Sequence, residues 1–149
     1  MSNVFNQNTK QLIIFPFGTT GNEMELGVTS WEKRKSNDIG SFVRPNQEDP
    51  ERRANNFNQV EENHIFNTLV SDEFISKAEF MPDGVTTKEE LETQMDEYFE
   101  SQRLVEVQYG HIQERGYITE YNVDEAANED NSVFRINFTL LVCVPMSSA

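Results

Sequence analysis

The chain of 149 residues has little cysteine, little histidine and no long apolar run. Its single cysteine, Cys143, excludes a disulfide bond within the chain. No apolar stretch is long enough to span a bilayer, and the first residues lack the charged and apolar regions of a secretory signal. We therefore expect a protein that is made and kept in a cytoplasm-like compartment.

Positive charge is also scarce, with 12 Lys and Arg residues against 26 Asp and Glu residues and a formal net charge of −14. The acidic excess lies mainly in residues 72–130, which carry 17 acids and 4 bases, whereas residues 31–53 carry 5 acids and 6 bases. Proteins bind nucleic acids by displacing counterions with Lys and Arg, so the acidic part argues against direct phosphate binding. It suits a surface that keeps the protein soluble, or one that repels DNA.

The hydrophobic content of 36% is low for a compact domain, and the mean hydropathy is −0.64. Part of the chain is therefore expected to stay extended or to be ordered by partners. Eleven phenylalanines argue against disorder of the whole chain. We predict a single domain over residues 1–149, with a flexible N-terminal arm at residues 1–10 and an extended loop or arm at residues 32–59.

Motifs for catalysis or ligand binding are missing as well. His64 and His111 lie far apart without a companion at metal-ligand spacing, so neither is predicted to be catalytic. The acids at residues 124–130 lack the pattern of a calcium loop, and the two glycines at residues 18–21 are not followed by a phosphate-binding lysine. Cys143 is expected to be a small core or interface residue of the last strand. The sequence predicts no catalytic residue, no cofactor and no metal site.

The clearest local signal predicts a helix at about residues 87–101. Thr87 and Glu90 have the spacing of a capping box, in which each side chain accepts a hydrogen bond from a free backbone N–H of the other residue. Acidic residues follow in the first turn, where the helix dipole favours them. The apolar residues at helical spacing are Leu91, Met95, Tyr98 and Phe99. This stripe predicts that the helix packs on another element.

After the helix the hydrophobic period changes from helical to alternating, which predicts three antiparallel strands. The residues on one face are Val105, Val107 and Tyr109 in the first strand, Tyr117, Thr119, Tyr121 and Val123 in the second, and alternate residues from Phe134 to Val144 in the third. A turn is expected at residues 110–115 and an exposed hairpin loop at residues 124–132. Pro145 ends the third strand.

The first half has shorter strand signals. Residues 11–17 form an apolar run that contains Pro16, which suits an edge strand or a segment that docks on a neighbour. Alternation predicts strands at residues 24–28, which run towards Trp31, and at residues 64–70. A further strand is expected at residues 74–80, followed by a turn.

Residues 32–59 show no periodic pattern. They suit a surface insertion, or an arm that becomes ordered against a neighbouring subunit. Phe42 and Phe57 favour the arm, because isolated aromatic side chains in a polar segment are good anchors.

The three predicted strands of the second half contain the stretches LVEVQYG at residues 104–110, RGYITEYNV at residues 115–123 and VFRINFTL at residues 133–140. Together with the preceding helix, residues 86–144 resemble the C-terminal part of baseplate and tail-tube-related proteins of tailed bacteriophages and contractile injection systems. In that group a helix is followed by a strand, a Gly-aromatic-Ile strand, an acidic loop and a long final strand.

The resemblance implies a split antiparallel β-barrel with one flanking helix, which is an α+β fold that is mainly β. It implies a structural virion protein of a phage tail, either tail tube, tube initiator or baseplate component, that assembles in the host cytoplasm. The implied partners are copies of the chain in a six-fold ring and other tail or baseplate proteins. DNA would pass nearby without specific binding, and no membrane would be involved.

Ring formation would use open rims of the barrel, since unpaired edge strands join readily to those of neighbouring copies. Residues 11–17 and the arm with Phe42 and Phe57 are the candidates for this pairing. A second interpretation remains open, in which the chain is an acidic α+β adaptor module that binds a basic partner and has no catalytic activity.

Overall fold

The strands of the chain close into one barrel. A computed structural model describes residues 9–36, 61–127 and 132–143. In chain order the elements are β1 (Lys10–Pro16), β2 (Met24–Ser36), β3 (Glu61–Val70), α1 (Asp72–Lys77), α2 (Lys88–Glu100), β4 (Val105–Tyr109), β5 (Ile112–Ala127) and β6 (Ser132–Val142). The barrel order is β1-β2-β3-β6-β5-β4, and β4 pairs back onto β1. The expected mainly β, antiparallel α+β barrel is confirmed.

Alternate residues of all six strands fill the barrel, because successive side chains of a strand point to opposite faces. The buried apolar side chains of the strands are Leu12, Ile14, Met24, Leu26, Val28, Phe66, Val70, Val105, Val107, Ile118, Ile136, Phe138 and Leu140. Leu91, Met95 and Tyr98 of α2 join the same core. Burial raises the pKa of Tyr98 to about 12.

The predicted helix and its capping box are confirmed. The Thr87 hydroxyl accepts a hydrogen bond from the Glu90 backbone N–H at 3.2 Å, and Glu90 Oε1 accepts one from the Thr87 N–H at 3.1 Å. α2 is tied to β5 because the Tyr121 hydroxyl donates to the Glu92 carbonyl at 3.2 Å. The helix therefore packs on the meander that follows it, as its apolar stripe requires.

Two irregularities shift the inward face of a strand by one residue. The register between β2 and β3 changes between Val28 and Ser30, so the inward positions of β2 continue at Trp31. In β5 the register changes between Ile118 and Glu120. For this reason the prediction that Tyr117, Thr119, Tyr121 and Val123 share a face is wrong: Tyr117 and Thr119 are exposed, and Tyr121 and Val123 pack against the core.

The strand predicted at residues 74–80 is wrong, because residues 72–77 form the helix α1. Ser71 is its N-cap, and the Ser71 hydroxyl accepts a hydrogen bond from the Phe74 N–H at 3.1 Å. Asp72 and Glu73 then occupy the first turn, where the helix dipole favours acids. A cap and an acidic first turn outweigh the apolar residues at positions 74, 75 and 80.

Several strands are longer than the sequence indicated. β2 continues through the charged residues 32–36, which were expected to begin a loop. β5 begins directly after the turn at Gly110 and His111 and continues to Ala127. The loops expected at residues 110–115 and 124–132 are therefore shorter than predicted. Alternation of β6 on the inner face is confirmed from Phe134 to Leu140.

The expectation that residues 11–17 form an edge strand is wrong. β1 is not an edge strand, because it pairs with β2 on one side and with β4 on the other, and Pro16 stands at its last position. Unpaired edges remain where two strands extend past their neighbours. Within the described residues, β2 has a strand partner on the β1 side only at Met24–Val28, and β5 has one on the β4 side only at Ile112–Gly116. The N-terminal arm expected at residues 1–10 falls outside the described residues up to residue 8, and so do Phe42, Phe57, Val144 and Pro145.

Candidate functional site

Three titratable side chains meet inside the barrel near the start of β3. His64 and Glu62 lie two residues apart on the same face of β3, and Glu114 comes from β5. One ligand atom of each lies within 4.8 Å of the others. His64 is only 1% exposed, whereas both carboxylates are half-buried. We call these three residues the His64 cluster.

Aromatic neighbours fix the His64 ring. The Trp31 and His64 rings are stacked with centroids 5.9 Å apart, and those of His64 and Phe66 are 6.2 Å apart. Trp31 reaches this stack because the bulge in β2 returns it to the inner face. The Trp31 Nε1–H donates a hydrogen bond to His64 Nδ1 at 3.0 Å. The ring therefore has a defined position and a defined partner on one side.

The second ring nitrogen of His64 is engaged as well. Nδ1 accepts the indole hydrogen bond, so the proton of the neutral imidazole must be on Nε2. Nε2 lies 2.7 Å from Glu62 Oε2 and donates to that carboxylate. Lys35 Nζ lies 3.9 Å from the other oxygen of Glu62. The result is a directed chain of hydrogen bonds from Trp31 through His64 to Glu62.

An imidazole and two carboxylates are a donor set that zinc and other divalent transition metals accept. A metal on Nε2 would require the His64 proton on Nδ1, where it would face the indole N–H of Trp31. Two donors would then point at each other, whereas a metal-bound His normally donates its other N–H to an acceptor. In the observed arrangement the hydrogen bond of Trp31 therefore disfavours metal binding.

The hydrogen bond from Trp31 to His64 also argues against a role of His64 as a general base. A general base needs an unprotonated nitrogen within reach of its substrate, and the unprotonated nitrogen of His64 is occupied by Trp31. The arrangement is that of a buried polar network whose donors and acceptors satisfy one another. Sequence spacing missed both carboxylates: the strand was predicted to begin at His64, so Glu62 lay outside it, and Glu114 comes from a distant strand.

The other residues considered from the sequence lie apart from this cluster. His111 is exposed in the turn between β4 and β5. Cys143 is also exposed, one residue beyond β6, so of the two predicted roles the place in the core is wrong, and a place in an interface stays a prediction. Gly18 and Gly21 have positive φ angles in the turn between β1 and β2, which is a conformational role. Asp124 and Glu125 lie in β5 rather than at a loop tip.

A surface cleft of about 310 Å³ lies between β1, β2 and α1. Lys10, Glu25, Glu73 and Lys77 are among its lining residues. Glu25 Oε1 already accepts hydrogen bonds from the backbone N–H groups of Glu79 and Phe80, at 2.8 and 3.3 Å. Lys77 and Glu73 pair with each other at 3.1 Å. Glu25, Glu73 and Lys77 are therefore bound to other groups of the chain itself.

Acidic side chains crowd the junction of α2 and β5. Burial raises the pKa of Tyr121, and the neighbouring carboxylates of Asp96 and Glu92 raise it further. Burial also raises the pKa of Glu92, with a contribution from Asp96 and Glu89. After burial, the carboxylates of Asp96, Glu92 and Glu89 are the next contributors to these two shifts, so acidic side chains lie near one another at this side of the barrel.

Comparison with protein-family models gives no match for this chain, and comparison with curated protein sequences gives none either. None of the helices among the described residues is both long enough and apolar enough to cross a lipid bilayer.

Proposed function

We propose that this chain is a structural protein of a phage tail or contractile injection system, acting as tail tube, tube initiator or baseplate component. In this proposal copies of the chain, six in the form implied by the resemblance, assemble into a ring around the DNA channel. The observation that carries the proposal is the unit of α2 followed by the meander β4, β5 and β6. This is the arrangement on which the resemblance to tail proteins rests.

The His64 cluster supports a structural role over a catalytic one. Both ring nitrogens of His64 are engaged, and the ring is fixed between Trp31 and Phe66. Because these hydrogen bonds hold the buried His64 ring in one position, they suit a rigid structural protein.

The distribution of charge is compatible with a DNA channel. A channel that passes DNA must offer few partners to the phosphates, and a negatively charged surface meets this condition. The acids at the junction of α2 and β5 provide such a surface, and the net charge of −14 adds a general repulsion. DNA would accordingly move past the protein without specific binding.

The closed barrel changes how assembly is expected to occur. Strands β1 and β4 are paired on both sides, so they are not free to join a neighbour. Contacts between copies would instead use the parts of β2 and β5 that extend beyond their neighbours. Assembly therefore needs no opening of the core.

The test is the state of the purified chain at rising concentration. Light scattering should show a mass several times that of the 17.2 kDa chain, and negative-stain images should show rings or stacked rings. Co-sedimentation with tail-tube and baseplate proteins of a tailed phage should show binding. A chain that stays monomeric at high concentration and binds none of those proteins would refute the proposal.

A second candidate function is an acidic adaptor that binds a basic partner. The observation in its favour is the crowding of carboxylates beside Tyr121. An adaptor should remain monomeric alone and should bind a basic partner with an affinity that falls steeply as salt rises. Self-association of the isolated chain separates the two functions.

A further inference from the structure

We propose that neighbouring copies join through two unpaired strand edges of opposite charge, the edge of β2 in one copy pairing with the edge of β5 in the next. The inference rests on the proposed self-assembly and specifies the surfaces that carry it. We call residues 29–36 of β2 the basic edge and residues 117–127 of β5 the acidic edge.

The basic edge is unpaired on one side. β2 pairs with β3 as far as Ser36, but its pairing with β1 ends at Val28. Among the described residues no strand covers the other side of residues 29–36. A strand with one free side presents a row of backbone N–H and C=O groups that can accept another strand.

The acidic edge has the same property on a different side of the barrel. β5 pairs with β6 along its length, but its pairing with β4 ends at Gly116. Residues 117–127 have no strand partner on that side within the described chain. α2 reaches this strand through side-chain contacts, the hydrogen bond and ring contact of Tyr121 with Glu92 and Phe99.

Charge makes the two edges complementary. The basic edge carries Lys33, Arg34 and Lys35 with one acid, Glu32, and all four are exposed. Arg34 pairs with Glu32 at 2.9 Å and Lys35 lies 3.9 Å from Glu62. Residues 117–127 include no Lys or Arg, and of their exposed acids Glu120, Asp124 and Glu125 only Asp124 has an ion pair among the described residues, with Arg135 at 3.2 Å. Each edge therefore keeps an exposed charge of its own sign without an ion pair in the described part of the chain. Opposite charges on adjacent strands stabilise pairing, and like charges oppose it.

The same charges exclude the alternative pairings. Lysine on a free edge deters the pairing of two identical edges, which is a common protection of β-sheets against aggregation. Two basic edges would repel each other, and so would two acidic edges. In a protein with a net charge of −14, a local excess of bases selects an acidic partner.

Pairing of unlike edges gives a head-to-tail contact. The resulting pair of copies still offers one free basic edge and one free acidic edge, so assembly continues to a closed ring or an open filament. Pairing of like edges would stop at a dimer.

Charge reversal tests this arrangement in the full-length chain. The first variant is Lys33→Glu with Arg34→Glu, and the second is Glu120→Lys with Glu125→Lys. Among the described residues Lys33, Glu120 and Glu125 make no ion pair within 4.0 Å, whereas Arg34 pairs with Glu32 of its own edge at 2.9 Å. Glu32 raises the pKa of Arg34, and Glu120 of the same chain adds to this effect. A mixture of the two variants cannot restore contacts within one copy, so its recovery reports pairing between copies. Each variant alone should self-associate about tenfold or more weakly than the wild type, since attraction at the edge becomes repulsion.

Mixing the two variants is the decisive step. The reversed β2 of the first variant faces the reversed β5 of the second with opposite charge, and their two natural edges also match. The equimolar mixture should therefore recover the wild-type mass. The control for the first variant is Lys77→Glu with Arg103→Glu, which makes the same change in net charge at exposed bases outside both edges. Within the described part of the chain it breaks only the exposed ion pair of Lys77 with Glu73, and it should assemble like the wild type.

Circular dichroism and thermal unfolding establish that each variant is folded. If a reversal unfolds the chain, Lys33→Gln and Glu125→Gln provide milder variants whose self-association should each fall measurably. Unchanged assembly of folded reversed variants, or a mixture that stays dissociated, would overturn the edge pairing while the proposed function stands. A wild-type chain that never self-associates would overturn both.

Discussion

The Trp31 indole donates a hydrogen bond to His64 Nδ1 at 3.0 Å, at a point in the barrel where His64 is 1% exposed. Because Nδ1 accepts this hydrogen bond, the proton of His64 is on Nε2. Nε2 then donates its own hydrogen bond to Glu62. It also joins β2 to β3 beyond the last residue of β2 that pairs with β1.

Replacement of Trp31 by Phe should destabilise the protein by about 1–3 kcal/mol, because the buried Nδ1 loses its donor while the ring stack is largely kept. Urea unfolding measures this cost, and Tyr117→Phe on the exposed outer face is the matched control, with an effect near zero. Nitrogen-15 NMR of the wild type should show the neutral His64 protonated on Nε2. A ring protonated only on Nδ1 would contradict the assignment.

Zinc should distinguish the wild type from Trp31→Phe. In the wild type we expect no increase in melting temperature beyond that of His64→Gln, because a metal on Nε2 would force two donors together. In Trp31→Phe the proton can move to Nδ1, which frees Nε2 for a metal between Glu62 and Glu114. Thermal unfolding with and without zinc measures both responses. Stabilisation of the wild type equal to that of Trp31→Phe would show that the indole does not control the site.

Gly116 should tolerate no side chain. A Cβ at this position would overlap the carbonyl of Leu141 on the neighbouring strand β6. The backbone of β5 or β6 would have to shift, and we expect Gly116→Ala to cost roughly 1–3 kcal/mol or more. Gln113→Ala, on the exposed face of the same strand, should cost much less. Chemical unfolding of both variants tests the prediction, and equal stabilities would contradict it.

The pH dependence of stability should include a contribution from Glu90. Hydrogen bonds from the backbone and hydroxyl of Thr86 lower the pKa of Glu90 below its ordinary value of 4.5. A lowered pKa in the folded state adds stability that is fully present above pH 4.5 and is lost as pH falls through the folded pKa. The stability difference between the wild type and Glu90→Gln should therefore shrink below that pH.

Ser71→Ala is the control for this measurement. It removes the cap hydroxyl of α1, which bonds to the Phe74 N–H and not to Glu90, so its cost of about 1 kcal/mol should change little with pH. A Glu90→Gln difference that is constant from neutral to acidic pH would contradict the linkage.

Local signals allowed part of the fold to be predicted from the sequence. α2 was predictable because Thr87 and Glu90 cap it and the apolar stripe has helical spacing. β6 was predictable because its alternation runs without interruption from Phe134 to Leu140. In both elements the local preference and the packing agree, which is the condition for a correct prediction.

Errors arose where the determining contact was distant or the local signal was short. The bulges near Thr29 and Thr119 change which residues of β2 and β5 face inward. A bulge depends on pairing with another strand, so the alternation within one strand does not predict it. The helix α1 had a signal, the cap Ser71 with Asp72 and Glu73, but apolar residues at positions 74 and 75 suggested a strand. The His64 cluster depends on the approach of β5 to β3, which lie far apart in the chain, and on a β3 that begins at Glu61 rather than at His64, so neither Glu114 nor Glu62 was predicted as a partner of His64.

Closure of the barrel by β1 has a consequence for biosynthesis. β1 finds β2 as soon as the first hairpin leaves the ribosome, but its second neighbour, β4, ends only at Tyr109. β3 likewise waits for β6, the last of the described strands in chain order. The nascent polypeptide therefore cannot close its cylinder until β6 has been translated, and before then the apolar faces of the earlier strands are exposed to misassembly.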